Sequence, residues 1–197
     1  MLSGDSRPRN GDALLIVDVQ NDFLPGGSLA VAEGDQVVGV LNDYIAVFSR
    51  QGLPVYATRD WHTPDHCSFQ AQGGPWPPHC VADSPGAGFA PGLRLPEGKA
   101  TVISKGTRQD KDAYSGFEGS DLAERLRSAG IQRLFIGGLA TDYCVLDTVR
   151  DALREGFAVR LLEDAIRAVN VQPDDGAKAI AEMRQGGAVP VTLAEVA

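Results

Sequence analysis

The sequence predicts an α/β fold with three layers, α/β/α, built on a six-stranded, mostly parallel sheet. Two observations carry this. Apolar runs that read as strands recur at 13–17, 54–58, 100–104, 134–137, 158–162 and 189–193, and segments with helical periodicity separate most of them. Such runs are continuous rather than alternating, as expected of strands buried on both faces, and this requires helices on both sides of the sheet. No internal repeat or linker interrupts the 197 residues, so the chain reads as a polar tail over 1–10 and one domain over 11–197.

The first strand, 13–17, delivers Asp18 at its carboxyl end, and a turn-rich loop with Phe23 and Pro25-Gly26-Gly27 follows. Residues 33–51 place Val37, Leu41, Ile45 and Phe48 on one helical face, and Gly52 is a suitable stop. The strand at 54–58 ends at Arg59-Asp60. From 61 to 98 neither period is sustained, yet this stretch holds both tryptophans, Trp61 and Trp76, and all three histidines, His62, His66 and His79. A loop that long in a compact domain is functional or disordered, and the clustering favours function. The strand at 100–104 ends at Lys105. A helix starting at Ser120-Asp121 spaces Leu122, Leu126 and Ala129 along one side and stops at Gly130. The run 134–137 leads into a helix carrying Leu146, Val149 and Leu153, so Cys144 sits where a strand turns into a helix. The strand at 158–162 ends at Glu163-Asp164, Pro173 opens another helix, and 189–193 is the last strand.

Composition narrows the function. Acidic residues outnumber basic ones 26 to 18, for a net charge of −8, and no basic block stands out, which argues against nucleic acid and anionic membrane as partners. The N-terminal segment has the pattern of neither a signal peptide nor a membrane span, so a cytoplasmic protein is expected. Cys67, Cys80 and Cys144 form an odd, sparse set without a CxxC pair, which argues against a disulfide framework.

Open parallel sheets bind ligands beyond the carboxyl ends of their strands. Asp18, Asp60, Lys105 and Cys144 each fall at such an end or begin the helix after it. A helix start lowers the pKa of a thiol and so favours the nucleophilic thiolate. A carboxylate in reach can serve as its base, and an ammonium stabilises both charges. Asp18, Lys105 and Cys144 would then be an acyl-transfer triad, with backbone N–H groups at the helix start facing the oxyanion. Spacing alone leaves a structural Asp18–Lys105 salt bridge equally open, and a cysteine taken in isolation reads as a small buried hydrophobe, so it is the company of Cys144 that favours the triad.

The histidine loop has its own logic. Asp60 and His62 are two apart at a strand end and point to the same side in extended backbone. With His79 they make a two-histidine, one-carboxylate set suited to one divalent metal ion, Zn, Fe or Mn. His66 could be a further ligand or could support one, and spacing does not decide between them.

Several longer motifs occur in order along the chain: Val17-Asp18-Val19-Gln20-Asn21-Asp22-Phe23, Thr58-Arg59-Asp60-Trp61-His62, Trp76-Pro77-Pro78-His79-Cys80, Lys105-Gly106, Tyr114-Ser115-Gly116-Phe117 and Gly138-Leu139-Ala140-Thr141-Asp142-Tyr143-Cys144-Val145. In this combination the chain resembles the nicotinamidase/pyrazinamidase group of the isochorismatase-like cysteine hydrolases, whose fold is Rossmann-like. The resemblance implies that Cys144 attacks the carboxamide of nicotinamide, Asp18 shuttles the proton, and Lys105 holds both charges. It implies a cis peptide at Leu139-Ala140 and an oxyanion hole from the Ala140 and Cys144 N–H groups. It further implies that the metal on Asp60, His62 and His79 orients the pyridine nitrogen while Phe23, Trp76 and Tyr114 pack on the ring, and that pyrazinamide is accepted too. It assigns no ligand role to Cys80 and leaves His66 outside the metal set. Two other readings remain: a relative acting on another small amide, and a non-catalytic metal or ligand binder with Cys144 as a redox sensor. Whether the chain forms a homo-oligomer is left open.

Overall fold

The structure, a computed structural model, describes residues 6–197; residues 1–5 of the expected polar tail lie outside the described residues. Six strands form one sheet: β1 (Asp12–Val17), β2 (Val55–Asp60), β3 (Thr101–Lys105), β4 (Arg133–Leu139), β5 (Ala158–Arg167) and β6 (Val189–Val191). Their spatial order is β3-β2-β1-β4-β5-β6, and every neighbouring pair is parallel. Helices α1 (Gln36–Arg50), α2 (Leu122–Ser128), α3 (Leu146–Arg154), α4 (Asp175–Gln185) and α5 (Leu193–Val196) complete the layers.

Strand alternation divides the core in two. Leu14, Ile16 and Phe135 face α1 and α5, packing on Leu41, Tyr44, Phe48 and Val196. Ala13, Leu15, Val17, Leu134 and Ile136 face α2, α3 and α4, packing on Leu122, Leu126, Val149 and Met183. Both faces of β1 are covered, which is why its sequence is an unbroken apolar run.

The chain leaves β1 toward β2 on one side and reaches β4 on the other, so a crevice opens beyond the carboxyl ends of β1 and β4. Val17 pairs with Gly138 on one flank and Thr58 on the other. Gly138 has φ 127°, and a Cβ there would overlap the Val17 carbonyl, so only glycine lets the two strands run this close at the crevice. The peptide Leu139-Ala140 is cis.

Several element ends differ from the sequence reading. Asp60 and Lys105 are the last residues of their strands and pair with each other in the ladder, rather than lying just past it. Strand β5 continues through Glu163-Asp164 to Arg167, because Asp164 accepts hydrogen bonds from the Tyr44 hydroxyl and the Leu193 N–H. The last strand stops at Val191, where Thr192 and Glu195 form a capping box for α5. Helix α1 starts at Gln36, three residues later than expected. The loop 61–98 is tied down by short 3-10 turns at Gln70–Gln72 and Pro85–Ala87 and by isolated bridges His62–Val81 and Phe69–Trp76. Among the described residues no helix is long and apolar enough to cross a membrane.

Candidate active site

Four buried polar side chains meet at the crevice. Lys105 Nζ lies 2.8 Å from Asp18 Oδ2, 2.5 Å from Asp60 Oδ1 and 3.5 Å from Cys144 Sγ, and it also donates to the Ala113 carbonyl at 3.3 Å. One oxygen each from Asp18 and Asp60 and the Cys144 sulfur lie within 4.8 Å of one another. The topology explains the meeting: β1, β2, β3 and β4 are adjacent, and each contributes the residue at or just beyond its carboxyl end.

Cys144 lies in a single π-helical turn, Thr141–Val145, that runs directly into α3. The sequence argument from the helix start favoured a lowered thiol pKa. The structure reverses it: complete burial pushes the thiol well above its ordinary 9.0, and the neighbouring Lys105 only partly offsets this. The resting group is a neutral thiol that needs a base. Asp18 has the matching property, since burial raises its carboxyl pKa against the opposing pull of Lys105. Lys105 stays charged because the two carboxylates outweigh its own burial.

Asp60 divides its carboxylate between two jobs. Its Oδ1 takes the Lys105 ammonium, and its Oδ2 lies 3.5 Å from His62 Nε2 and 4.0 Å from His79 Nε2. Burial favours a neutral Asp60, but Lys105 and His62 outweigh it and hold the carboxyl well below the usual range. The Nδ1 of His62 faces the Gly106 carbonyl at 2.8 Å, and the Nδ1 of His79 faces the Pro77 carbonyl at 2.8 Å. A carbonyl only accepts, so each imidazole carries its proton on Nδ1 and turns an Nε2 lone pair toward Asp60. Gly106, at φ 60°, is needed here because a Cβ would overlap the His62 ring. Three ligand atoms thus converge within 4.8 Å with their outer edges tied to backbone, an arrangement that fits a divalent cation. Burial lowers the pKa of His79, which keeps it neutral as a ligand must be. For His62 burial acts the same way, but Asp60 outweighs it and raises the pKa. A proton on His62 would occupy the edge a cation would use, so the two exclude each other.

His66 stacks on His62 with ring centroids 4.0 Å apart, and both its nitrogens are engaged, Nδ1 with Ser68 Oγ at 2.7 Å and Nε2 with the Lys111 carbonyl at 3.2 Å. It supports the His62 ring from behind. Cys80 is buried and its thiol pKa is pushed up by that burial.

A cavity joins the Cys144 thiol to His79 and Asp60. Cys144 and Ala140 form one wall, Asp60 and His79 another, and Phe23, Trp76 and Tyr114 line it together with Leu29, Val31, Tyr143 and Val169. The Trp76 indole N–H donates to the Tyr114 hydroxyl at 2.9 Å, and Tyr143 stands edge-on to Trp76 with centroids 5.2 Å apart. Leu29, Val31, Tyr143 and Val169 are lining residues that the sequence reading does not nominate. Tyr143 precedes the thiol in the motif, a usable signal, whereas Val169 reaches the cavity only because Asp142 accepts the Val169 and Asn170 N–H groups.

Comparison with known proteins agrees with this geometry. The isochorismatase domain matches residues 12–195. The chain is 42% identical to the nicotinamidase of Escherichia coli (strain K12), covering 93% of this chain and 95% of that one. Among solved structures, the pyrazinamidase of Pyrococcus horikoshii in complex with zinc is 49% identical, with a TM-score of 0.89 and coverage of 92% and 99%. PnC1 from L. infantum in complex with nicotinate is 40% identical, with a TM-score of 0.88 and 97% coverage of each chain. Sequence and fold agree along nearly the whole length, and the chain belongs to the isochorismatase family, within its nicotinamidase/pyrazinamidase group.

Proposed function

We propose that this protein hydrolyses nicotinamide to nicotinate and ammonia through a thioester on Cys144, and accepts pyrazinamide by the same route. The observation that carries the reading is one cavity lined by a thiol and by Asp60 and His79, two members of a two-histidine, one-carboxylate set that His62 completes.

The steps follow from the side chains. Asp18 takes the Cys144 proton, and the sulfur forms a bond to the carboxamide carbon. The oxyanion so created is met by the Ala140 and Cys144 N–H groups. As the C–N bond breaks, Asp18 returns its proton to the departing nitrogen and ammonia leaves. Water then attacks the thioester, Asp18 accepts a water proton and passes it to the sulfur, and nicotinate is released. Lys105 keeps Asp18 and the sulfur in register through its 2.8 Å and 3.5 Å contacts. Phe23, Trp76 and Tyr114 enclose the ring and exclude bulk water. Asp60, His62 and His79 would hold a divalent cation, with zinc favoured by the P. horikoshii relative, and it would supply Lewis acidity toward a ring nitrogen. The raised, buried thiol speaks against the redox-sensor reading, because a sensor needs an accessible thiolate. The three free cysteines suit a reducing compartment such as the cytoplasm.

Ammonia release from nicotinamide by the metal-loaded protein tests the reading, with Cys144→Ala as the blank and metal content measured on the same batch. Turnover is expected to vanish in Cys144→Ala while nicotinamide binding persists. Turnover near wild type in that variant would sink the covalent route, and no release from folded, metal-loaded wild type would sink the substrate.

A further inference from the structure

We propose that Thr58 is a positioning residue for the proton transfer, fixing which oxygen of Asp18 handles the thiol proton. This rests on the reading of Asp18 as the base for Cys144. Thr58 is fully buried in β2, and its hydroxyl lies 2.7 Å from Asp18 Oδ1. A carboxylate only accepts, so the hydroxyl donates. The backbone reinforces the pairing, because the Asp18 N–H donates to the Thr58 carbonyl at 3.2 Å. Asp18 itself has φ 49°, a left-handed conformation that turns it out of the direction of β1.

The hydroxyl is not free to swing away. A β-branched side chain has few χ1 choices, and the Thr58 methyl points at Gly116, where even a Cβ would come within 2.8 Å of it. The methyl thus occupies the one slot that glycine leaves, and this aims the hydroxyl at Asp18. With Oδ1 engaged by a donor, the proton taken from Cys144 goes to Oδ2, the oxygen that faces Lys105 at 2.8 Å and makes no other hydrogen bond. Oδ2 is then the atom that hands the proton to the departing nitrogen. Without the Thr58 hydroxyl the carboxyl group could rotate or hold its proton on the oxygen turned away from the reaction.

The test compares zinc-loaded wild type with Thr58→Val, which keeps shape and strand preference, and Thr58→Ser, which keeps only the hydroxyl. Two readouts are taken: kcat and KM for nicotinamide, and the rate at which iodoacetamide alkylates Cys144 at fixed pH, resolved by peptide from Cys67 and Cys80. Losing a hydrogen bond to a charged group should lower kcat in Thr58→Val about 10- to 100-fold, with KM changed less than about twofold. Alkylation should slow in parallel, and Thr58→Ser should stay within about threefold of wild type on both readouts. Thr58→Ala carries the same expectation as Thr58→Val and replaces it if the valine variant does not fold. The inference is overturned if the hydroxyl-free variant keeps kcat and alkylation near wild type, or if serine falls as far as valine, which would make the loss one of packing. If wild type itself releases no ammonia, the substrate reading fails, and the alkylation comparison still decides the role of Thr58.

Discussion

Two buried charge clusters sit at opposite ends of strand β1, and they are built on opposite principles. At the amino end Arg133 forks onto Asp12, with Nε 2.9 Å from Oδ1 and the terminal nitrogen 2.5 Å from Oδ2, and Asp12 also accepts the Arg9 N–H. Here a guanidinium meets a carboxylate in matched, two-pronged geometry. At the carboxyl end a single ammonium, Lys105, serves both Asp18 and Asp60, and a thiol lies beside them. That end holds one buried negative charge too many. A proton on Asp18, or a proton on His62 or a bound cation on the Asp60 side, can balance it, and the Asp18 proton and the cation are what the proposed chemistry moves or binds. The difference teaches where to look in such a sheet: the matched two-pronged pair holds the fold, and the cluster in which two carboxylates share one ammonium does chemistry.

The comparison is sharpened most by Asp18→Asn. It removes the surplus charge and leaves Lys105–Asp60 as a one-to-one pair, so the carboxyl end comes to resemble the amino end. Losing the acid–base group should cost about 10²- to 10⁴-fold in kcat for nicotinamide, while the melting temperature holds or rises because an ionised carboxyl with a pKa raised by burial no longer has to be accommodated. A variant that loses both activity and stability would show that Asp18 belongs to the fold rather than to the chemistry.

The converse substitution is Asp12→Asn. Breaking a buried pair by removing one partner costs about 3 to 5 kcal/mol, and thermal unfolding should register this as a drop of roughly 6 to 20 °C for a domain of this size. The kcat at a temperature where the variant is folded should be unchanged, since the pair lies at the opposite end of β1 from Asp18. A kcat change without a stability change would break the comparison outright.

Most of the frame was legible in the sequence because central parallel strands announce themselves as unbroken apolar runs. Their ends were not, for a physical reason. Asp60 and Lys105 are polar yet belong to their strands, because their side chains turn into the crevice rather than into solvent. Asp164 looked like a strand end and is instead held inside β5 by Tyr44, 120 residues away along the chain. The last strand read as running to residue 193 because Leu193 continues its apolar pattern, whereas Thr192 and Glu195 cap α5 there. For the site, strand-end placement was enough to nominate Asp18, Asp60, Lys105 and Cys144, which the structure brings together. It was not enough to give the electrostatics: the helix-start argument for Cys144 was local, and complete burial overrode it. Thr58 and Val169 owe their places to neighbours distant in sequence, and no local pattern could assign them, whereas Tyr143 could be read from its place beside Cys144 in the motif.

The smallest effect separates the two ends by pH. In the folded protein the Asp18 carboxyl pKa is raised above its ordinary 3.8, burial being the largest cause and Asp60 adding to it against Lys105. Asp18 must be ionised to accept the thiol proton, so kcat should fall as pH drops through a value above 3.8, by about tenfold per unit below it. The sign for stability is the reverse. A group with a raised folded pKa binds its proton more tightly folded than unfolded, so between that value and 3.8 acidification relieves strain at Asp18 rather than adding it. Asp60 has the opposite shift, and the stability it contributes is lost only below the ordinary carboxylate range. Activity should therefore disappear at a higher pH than the fold. The measurement is kcat at saturating nicotinamide and the melting temperature in the same buffers, with bound metal followed in parallel so that loss of the cation is not read as titration of Asp18. An acid limb of kcat that coincides with unfolding, or one that lies at or below 3.8, would mean that Asp18 titrates like an ordinary carboxyl and that the carboxyl end of β1 carries no surplus charge to use.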